Sequence, residues 1–295
     1  GVSGVRLASL HRRHSPQTTP STQGHGVFLY NYAPISPPKC LSSLMKDNIV
    51  TPAADENRVR LSVVVPAFNE QDNIVPLTEE IIAALAALEG GFEVILIDDA
   101  STDATAATIA GFNHPCVRGV FHRVNCGQSA AVAAGFQAAR GEWVATLDGD
   151  GQNDPADLPA MLAQARQESV DCVTGVRKKR KDNFIRRFSS RVANGFRNWI
   201  TGDQISDSGC GIRVARRAAL REVPVFNGMH RFLPTLLRGQ GYVVAERQVN
   251  HRERTRGVSK YGVHNRLWRG IRDCFGIRWY LKRAVRSDRI APPAK

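Results

Sequence analysis

Trp143-Val144-Ala145-Thr146-Leu147-Asp148-Gly149-Asp150-Gly151-Gln152-Asn153-Asp154-Pro155 is an apolar run that ends abruptly in carboxylates spaced one residue apart. In an extended segment alternate side chains share a face, so Asp148, Asp150 and Gln152 can present oxygens to one hard divalent cation, magnesium or manganese in type. An ion with so few protein ligands keeps positions for water and substrate phosphates, which points to a nucleotide diphosphate. The competing reading is a plain acidic turn, with Asp154 as N-cap and Pro155 as the first helical residue. A calcium loop is excluded: counted from Asp148, the sixth and twelfth positions are Asn153 and Pro159 rather than Gly and Glu.

The flanking sequence places this loop in a sheet. Leu61-Ser62-Val63-Val64-Val65-Pro66 passes through Ala67-Phe68-Asn69-Glu70 into a helical pattern, and Phe92-Glu93-Val94-Ile95-Leu96-Ile97 ends in Asp98-Asp99-Ala100-Ser101-Thr102-Asp103. A third strand is expected at residues 117–123, followed by a Gly-rich stretch from Asn125 to Gly135 that opens a helix of Ala131, Val132, Ala133 and Ala134. Continuous apolar runs, capped by polar residues and separated by helix-length segments, imply buried parallel strands of an α/β fold. Ligands of such sheets lie at the carboxyl ends of the strands. The first, second and fourth strands would therefore deliver Asp, Glu and Asn to one edge. The small residues at 131–134 let their helix lie close to the sheet, and no chemical role is expected of that stretch.

The ordered set of Val65-Pro66-Ala67-Phe68-Asn69-Glu70, Asp98-Asp99-Ala100-Ser101-Thr102-Asp103, Asn125-Cys126-Gly127-Gln128 with Gly135, and the loop from Asp148 to Pro155 resembles the inverting family 2 nucleotide-sugar glycosyltransferases. Gly175-Val176-Arg177, Asp207-Ser208-Gly209-Cys210-Gly211-Ile212-Arg213, Arg231-Phe232-Leu233-Pro234 and the segment from Arg254 to Gly262 follow in order and resemble the polyprenyl-phosphate branch, typified by dolichol-phosphate mannosyltransferase and the undecaprenyl-phosphate sugar transferases. The resemblance covers roughly residues 60–283. Phe68 stands where the family often has Tyr, Ala100 where it often has Gly, and Gly151 where the metal loop usually has Leu. The first change keeps a stacking ring; the other two alter loop shape more than ligation.

The resemblance implies a Rossmann-like GT-A fold with a mostly parallel central sheet and C-terminal amphipathic helices. It also implies transfer of a sugar from a nucleotide diphosphate to a polyprenyl phosphate, undecaprenyl or dolichyl, with inversion. Asp148, Asp150 and Gln152 would hold the magnesium or manganese ion. Pro66, Phe68, Glu70, Ile97 and Asp99 would line the nucleoside, with Asp148 and Arg177 at the phosphates. Asp150, Asp207, Arg254 and Lys260 would act at the reacting groups, Arg254 and Lys260 by orienting the attacking phosphate and Asp207 near the acceptor. A phosphomonoester is already largely a dianion at neutral pH, so it needs little general-base help.

Charge is divided sharply along the chain. Residues 1–176 carry 11 Lys and Arg against 19 Asp and Glu, net −8, whereas residues 177–295 carry 29 against 8, net +21. The second half is suited to anions: phosphorylated substrates, acidic headgroups or nucleic acid. A nucleic-acid-binding protein is the distant alternative, because it leaves the acidic loop unexplained. A family 2 enzyme with a soluble saccharide or protein acceptor is the nearer one. No apolar run approaches the roughly 20 residues that cross a bilayer. At 100° per residue, Phe184, Ile185, Phe188, Val192, Phe196, Trp199 and Ile200 fall on one half of a helical wheel, and Arg186, Arg187, Arg191 and Arg197 on the other. A second stripe, Leu267, Trp268, Ile271, Cys274 and Phe275, is flanked by Arg266, Arg269 and Arg272 and broken at Gly276. The expectation is peripheral attachment to the cytoplasmic face of an anionic membrane, with an integral membrane protein as a further candidate partner and no nucleic acid.

Six scattered cysteines without metal-ligand spacing read as thiols of a reducing compartment. Three regions are expected. Residues 1–57 are rich in Ser, Pro, Thr and Gly and read as a disordered extension, with Met45 as the natural start. Residues 58–250 form the transferase domain, and 251–295 form the basic acceptor loop and membrane-associating tail.

Overall fold

The computed structural model describes residues 59–178, 184–253 and 264–285, with the side chains at 184–192 and 264–269 set aside. The expected extension at 1–57, Met45, Arg254 and Lys260 lie outside the described residues. A seven-stranded sheet carries the core. Its strands are β1 (Leu61–Ala67), β2 (Phe92–Asp98), β3 (Val117–Phe121), β4 (Trp143–Thr146), β5 (Cys172–Arg177), β6 (Arg213–Arg216) and β7 (Val244–Val249), in the spatial order β3-β2-β1-β4-β6-β5-β7. β3, β2, β1 and β4 are parallel, β6 runs antiparallel to β4 and β5, and β7 is parallel to β5. The mostly parallel sheet is as expected.

Both faces are covered, which is why the strands read as continuous apolar runs rather than alternating ones. Val63, Val65, Val94 and Leu96 point to the face packed by α1 (Ile74–Leu85), α2 (Thr105–Ala110) and α4 (Leu158–Gln167). Val64, Ile95 and Ile97 point to the other face, against α3 (Gln128–Ala138), α6 (Arg217–Arg221), α7 (Leu233–Gly239) and residues of α5 (Phe184–Thr201) and α8 (His264–Arg283). The small residues of α3 do bring it close to the sheet: a methyl group at Gly135 would lie 3.0 Å from Val64 Cγ2 and 3.1 Å from Ile97 Cδ1. Strand order reverses at β1, which has β2 on one side and β4 on the other. Beyond its carboxyl end is the crevice where such folds hold ligands.

Two helical expectations need correction. On α5, Arg197 of the basic half is only 6% exposed, while the apolar half divides, with Ile200 buried and Trp199 75% exposed. The reason is tertiary. Arg197 meets Thr235 of α7 and the Asp203 carboxylate, and stacks over the Phe232 ring at 5.4 Å. A helical wheel carries no information about such partners. On α8, Gly276 does not break the helix, which runs through it; Cys274 and Ile277 face inward, and Phe275 and Trp279 face outward. Cys116, Cys172, Cys210 and Cys274 are free thiols as expected, whereas Cys126 is disulfide-bonded.

Candidate active site

Three strand ends build the crevice. Asp99 N–H bonds Ala67 O at 2.9 Å and Leu147 N–H bonds Val64 O at 3.1 Å, so the ends of β1, β2 and β4 converge. Backbone strain accompanies the convergence. Asn69 (φ 53°) and Ala100 (φ 57°) are both left-handed, a conformation that costs a residue with a Cβ about 1–2 kcal/mol. This explains why Gly is the usual residue of the family at the position of Ala100. Gly151 also has positive φ (70°), which its lack of a side chain tolerates.

The acidic loop leaves β4 with Asp148 and Asp150 partly exposed. Asp148 Oδ1 accepts from Gln128 Nε2 at 2.8 Å, and Asp148 N–H points to Asn153 Oδ1 at 3.4 Å. Asp150 Oδ1 accepts the Gln152 N–H at 3.2 Å. Burial first, and then the neighbouring Asp150 charge, push the Asp148 carboxyl up to about 6, against the pull of Arg213, Arg177 and Gln128. A carboxylate whose proton affinity is raised by burial and by a second carboxylate two residues on belongs to a hard-donor pair that suits a divalent cation. Asp154 Oδ1 accepts from Ala156 N–H and caps the turn that opens α4, so the N-cap reading of Asp154-Pro155 also holds.

Arg177, whose charge acts on Asp148, is gripped by Asp207 with two parallel bonds, Nε to Oδ2 and Nη2 to Oδ1, both 2.7 Å, and the pair is only 11% and 15% exposed. Asp207 is thus an anchor for a guanidinium. This fork geometry fixes the plane of Arg177 and keeps its charge at the site. Asp99 is spent largely on its own loop: its carboxylate accepts the Cys126 and Gly127 N–H groups at 2.9 and 2.7 Å and meets His122 Nδ1 at 2.7 Å. Asp99, His122 and Cys126 cluster closely enough to suggest a metal site, but these bonds and the disulfide of Cys126 account for the grouping.

The remaining expected residues divide. Pro66 and Phe68 flank the end of β1, half-buried. Glu70 begins the turn into α1, its Oε2 accepting from Asn73 Nδ2 at 2.7 Å. Ile97 is fully buried in the core beneath α3, so its side chain is withdrawn from the crevice and packs rather than binds.

Sequence reasoning missed three contributors. Gln128 was given no role, yet it holds Asp148. A methyl group at Gly211 would lie 2.5 Å from Asp148 Cγ and 2.9 Å from Asn153 Oδ1, so the glycine ahead of β6 leaves room for the Asp148 carboxylate where it stands. Arg213 is 5% exposed and acts on both Asp148 and His230. Gly127-Gln128 and Gly211-Ile212-Arg213 were visible as motifs, but nothing local assigned them to Asp148.

The family model described as "Glycosyl transferase family 2" matches residues 62–224. The chain belongs to glycosyl transferase family 2. Among curated relatives of this family 2 chain is a dodecaprenyl-phosphate galacturonate synthase of Rhizobium johnstonii, 38% identical over 234 residues that cover 77% of this chain and 69% of that protein. Another is an undecaprenyl-phosphate 4-deoxy-4-formamido-L-arabinose transferase of Shewanella sediminis, 36% identical over 208 residues, 70% of this chain and 62% of the relative. The chain therefore spans roughly two thirds of the length of such relatives. Solved structures establish the GT-A type of fold. Glucosyl-3-phosphoglycerate synthase from Mycobacterium tuberculosis, complexed with phosphoglyceric acid, has a TM-score of 0.56 at 20% identity and covers 74% of this chain and 81% of its own. A mannosyltransferase from Pyrobaculum calidifontis, in complex with GDP-mannose and Mn2+, has a TM-score of 0.53 at 20% identity and covers 82% and 75%.

Proposed function

We propose that this family 2 transferase moves a sugar from a nucleotide diphosphate to the phosphate of a polyprenyl carrier. The observation that carries the reading is a carboxylate loop suited to a cation within electrostatic reach of a guanidinium locked by Asp207. The names of the two curated relatives, both acting with polyprenyl phosphates, support it.

The acceptor's chemistry fits these residues. An acceptor phosphate oxygen attacks the anomeric carbon on the face opposite the leaving group, the bond from that carbon to the diphosphate oxygen breaks, and the configuration inverts. The phosphate is its own nucleophile as a dianion, so the chain has to gather and orient anions rather than remove a proton. Arg177 meets one anion from a fixed direction, with Arg254 and Lys260 assigned to the attacking phosphate. Asp148, Asp150 and the Gln152 amide oxygen would hold magnesium or manganese, which when bound offsets the charge of the leaving diphosphate. Pro66, Phe68, Glu70 and Asp99 are assigned to the nucleoside side of the crevice.

Attachment to the cytoplasmic face of the membrane belongs to the same reading. Among the described residues no helix is long and apolar enough to cross a bilayer. α5 and α8 pack on each other and leave Trp199 75%, Phe275 55% and Trp279 62% exposed. Arg272, Arg278, Lys282 and Arg283 are exposed on α8 beside them. Aromatic rings beside cations suit the interface of an anionic leaflet, where each basic residue contributes about 1 kcal/mol that salt screens. This exposure favours a lipid acceptor over a soluble one.

A donor screen with purified protein, undecaprenyl phosphate and Mg2+ or Mn2+ tests the transfer, and a sugar-phosphate lipid is the expected product. Transfer to soluble acceptors alone would overturn the reading. In flotation with anionic liposomes, binding should weaken but persist in part at high salt, and Trp199→Asp with Trp279→Asp should abolish it. Protein that stays unbound at low salt would refute the attachment.

A further inference from the structure

Beyond β7 the chain turns along the acidic loop. Asn250 N–H donates to Asp157 Oδ2 at 2.7 Å, His251 forms an antiparallel bridge with Asn153, and Arg252 N–H donates to Gln152 O at 2.9 Å. The Gln152 side chain answers, with Nε2 donating to Arg252 O at 3.4 Å. The Arg252 guanidinium then closes the strap from outside, with Nη2 at 2.8 Å from Asp154 Oδ1 and Nη1 at 2.5 Å from Glu80 Oε2 on α1. Residues 250–252 thus form a short antiparallel rib against residues 152–154, two residues before Arg254.

The chemistry of Gln152 gives this rib a use. A carboxamide has a donor end and an acceptor end, and only the oxygen can ligate a cation. With Nε2 turned to the Arg252 carbonyl, Oε1 is the end left for the ion. We propose that Arg252 is a positioning residue of the metal loop, clamping the rib through Asp154 and Glu80 so that Gln152 presents its oxygen. The same clamp sets the start of the basic segment against the acidic loop. The inference rests on the proposed role of Asp148, Asp150 and Gln152 as metal ligands.

The test is Mn2+ titration of the full chain, following free Mn2+ by electron paramagnetic resonance, with thermal unfolding in parallel. Loss of an outer partner of a ligand lowers metal affinity by about 10–100-fold, and Arg252 acts one bond further out through partly exposed ion pairs. Arg252→Ala should therefore raise the Mn2+ dissociation constant about three- to tenfold. Arg252→Lys, which keeps the charge but not the fork, should recover part of the loss, and Glu80→Gln, away from the crevice, should cost about twofold. Wild-type affinity in both Arg252→Ala and Glu80→Gln overturns the inference, whatever happens to the melting temperature. A wild-type chain that takes up no Mn2+ overturns the metal reading itself and the inference with it.

Discussion

Gly211→Ala should separate catalysis from folding. The new methyl group would lie 2.5 Å from Asp148 Cγ and 2.9 Å from Asn153 Oδ1, whereas non-bonded atoms prefer about 3.5 Å or more. The Asp148 carboxylate must then swing away by about 1 Å, breaking its 2.8 Å bond from Gln128. Gly211 has no positive φ, so the backbone accepts alanine, and a carboxylate at the end of a side chain yields cheaply. The stability change should stay within about 1 kcal/mol. Function should not follow, because a displacement of about 1 Å at a reacting centre costs about a hundredfold, equivalent to about 2.7 kcal/mol of transition-state stabilisation. Gly135→Ala is the matching control. Its methyl group would press on Val64 and Ile97 in the core, so it should lose about 1–3 kcal/mol of stability while the folded fraction keeps its activity. Calorimetric metal titration, steady-state kinetics and thermal unfolding of the two variants decide the matter. Normal metal affinity and turnover in Gly211→Ala would refute the reasoning.

Asp150→Asn, which keeps the shape and removes the carboxylate charge, should abolish transfer and weaken metal-dependent nucleotide binding with the fold intact if Asp150 holds the cation as proposed, as read by calorimetry with a nucleotide diphosphate. Asp207→Asn loses the charge that fixes Arg177 and should lower kcat/KM about tenfold to a hundredfold with an unchanged circular dichroism spectrum; unaltered kinetics would make the pair merely structural. Burial, and then Arg213 and Arg231, lower the His230 pKa to about 3 from 6.5. The unfolded chain therefore takes up this proton first as pH falls: the stability is intact above about pH 6.5 and is lost toward pH 3, by at most about 1.4 kcal/mol per unit. His230→Gln should flatten that part of the urea-denaturation profile, and a slope identical to wild type would show that other groups set it.

The apolar runs at β1, β2 and β4 determined the parallel sheet from sequence alone, because strands buried on both faces must be apolar throughout. The polar residues that end those runs located the crevice for the same reason: they are the first positions free of the core. The spacing of Asp148, Asp150 and Gln152 was likewise local information. What the sequence left open were partnerships between distant segments. Gln128 is 20 residues from Asp148 and Arg252 is 100 residues from Gln152, and neither spacing carries a periodic signal. The wheel of α5 failed at Arg197 because a helix shows which residues share a side, while the packing of α7 and Asp203 decided which side faces inward. Ile97 stood next to the polar run that begins at Asp98, but strand alternation turned it into the core. Local pattern thus gave the elements and the polar residues at their ends; only tertiary packing decided what holds each of those side chains in place, since hydrogen bonds and close contacts depend on position in space rather than order along the chain.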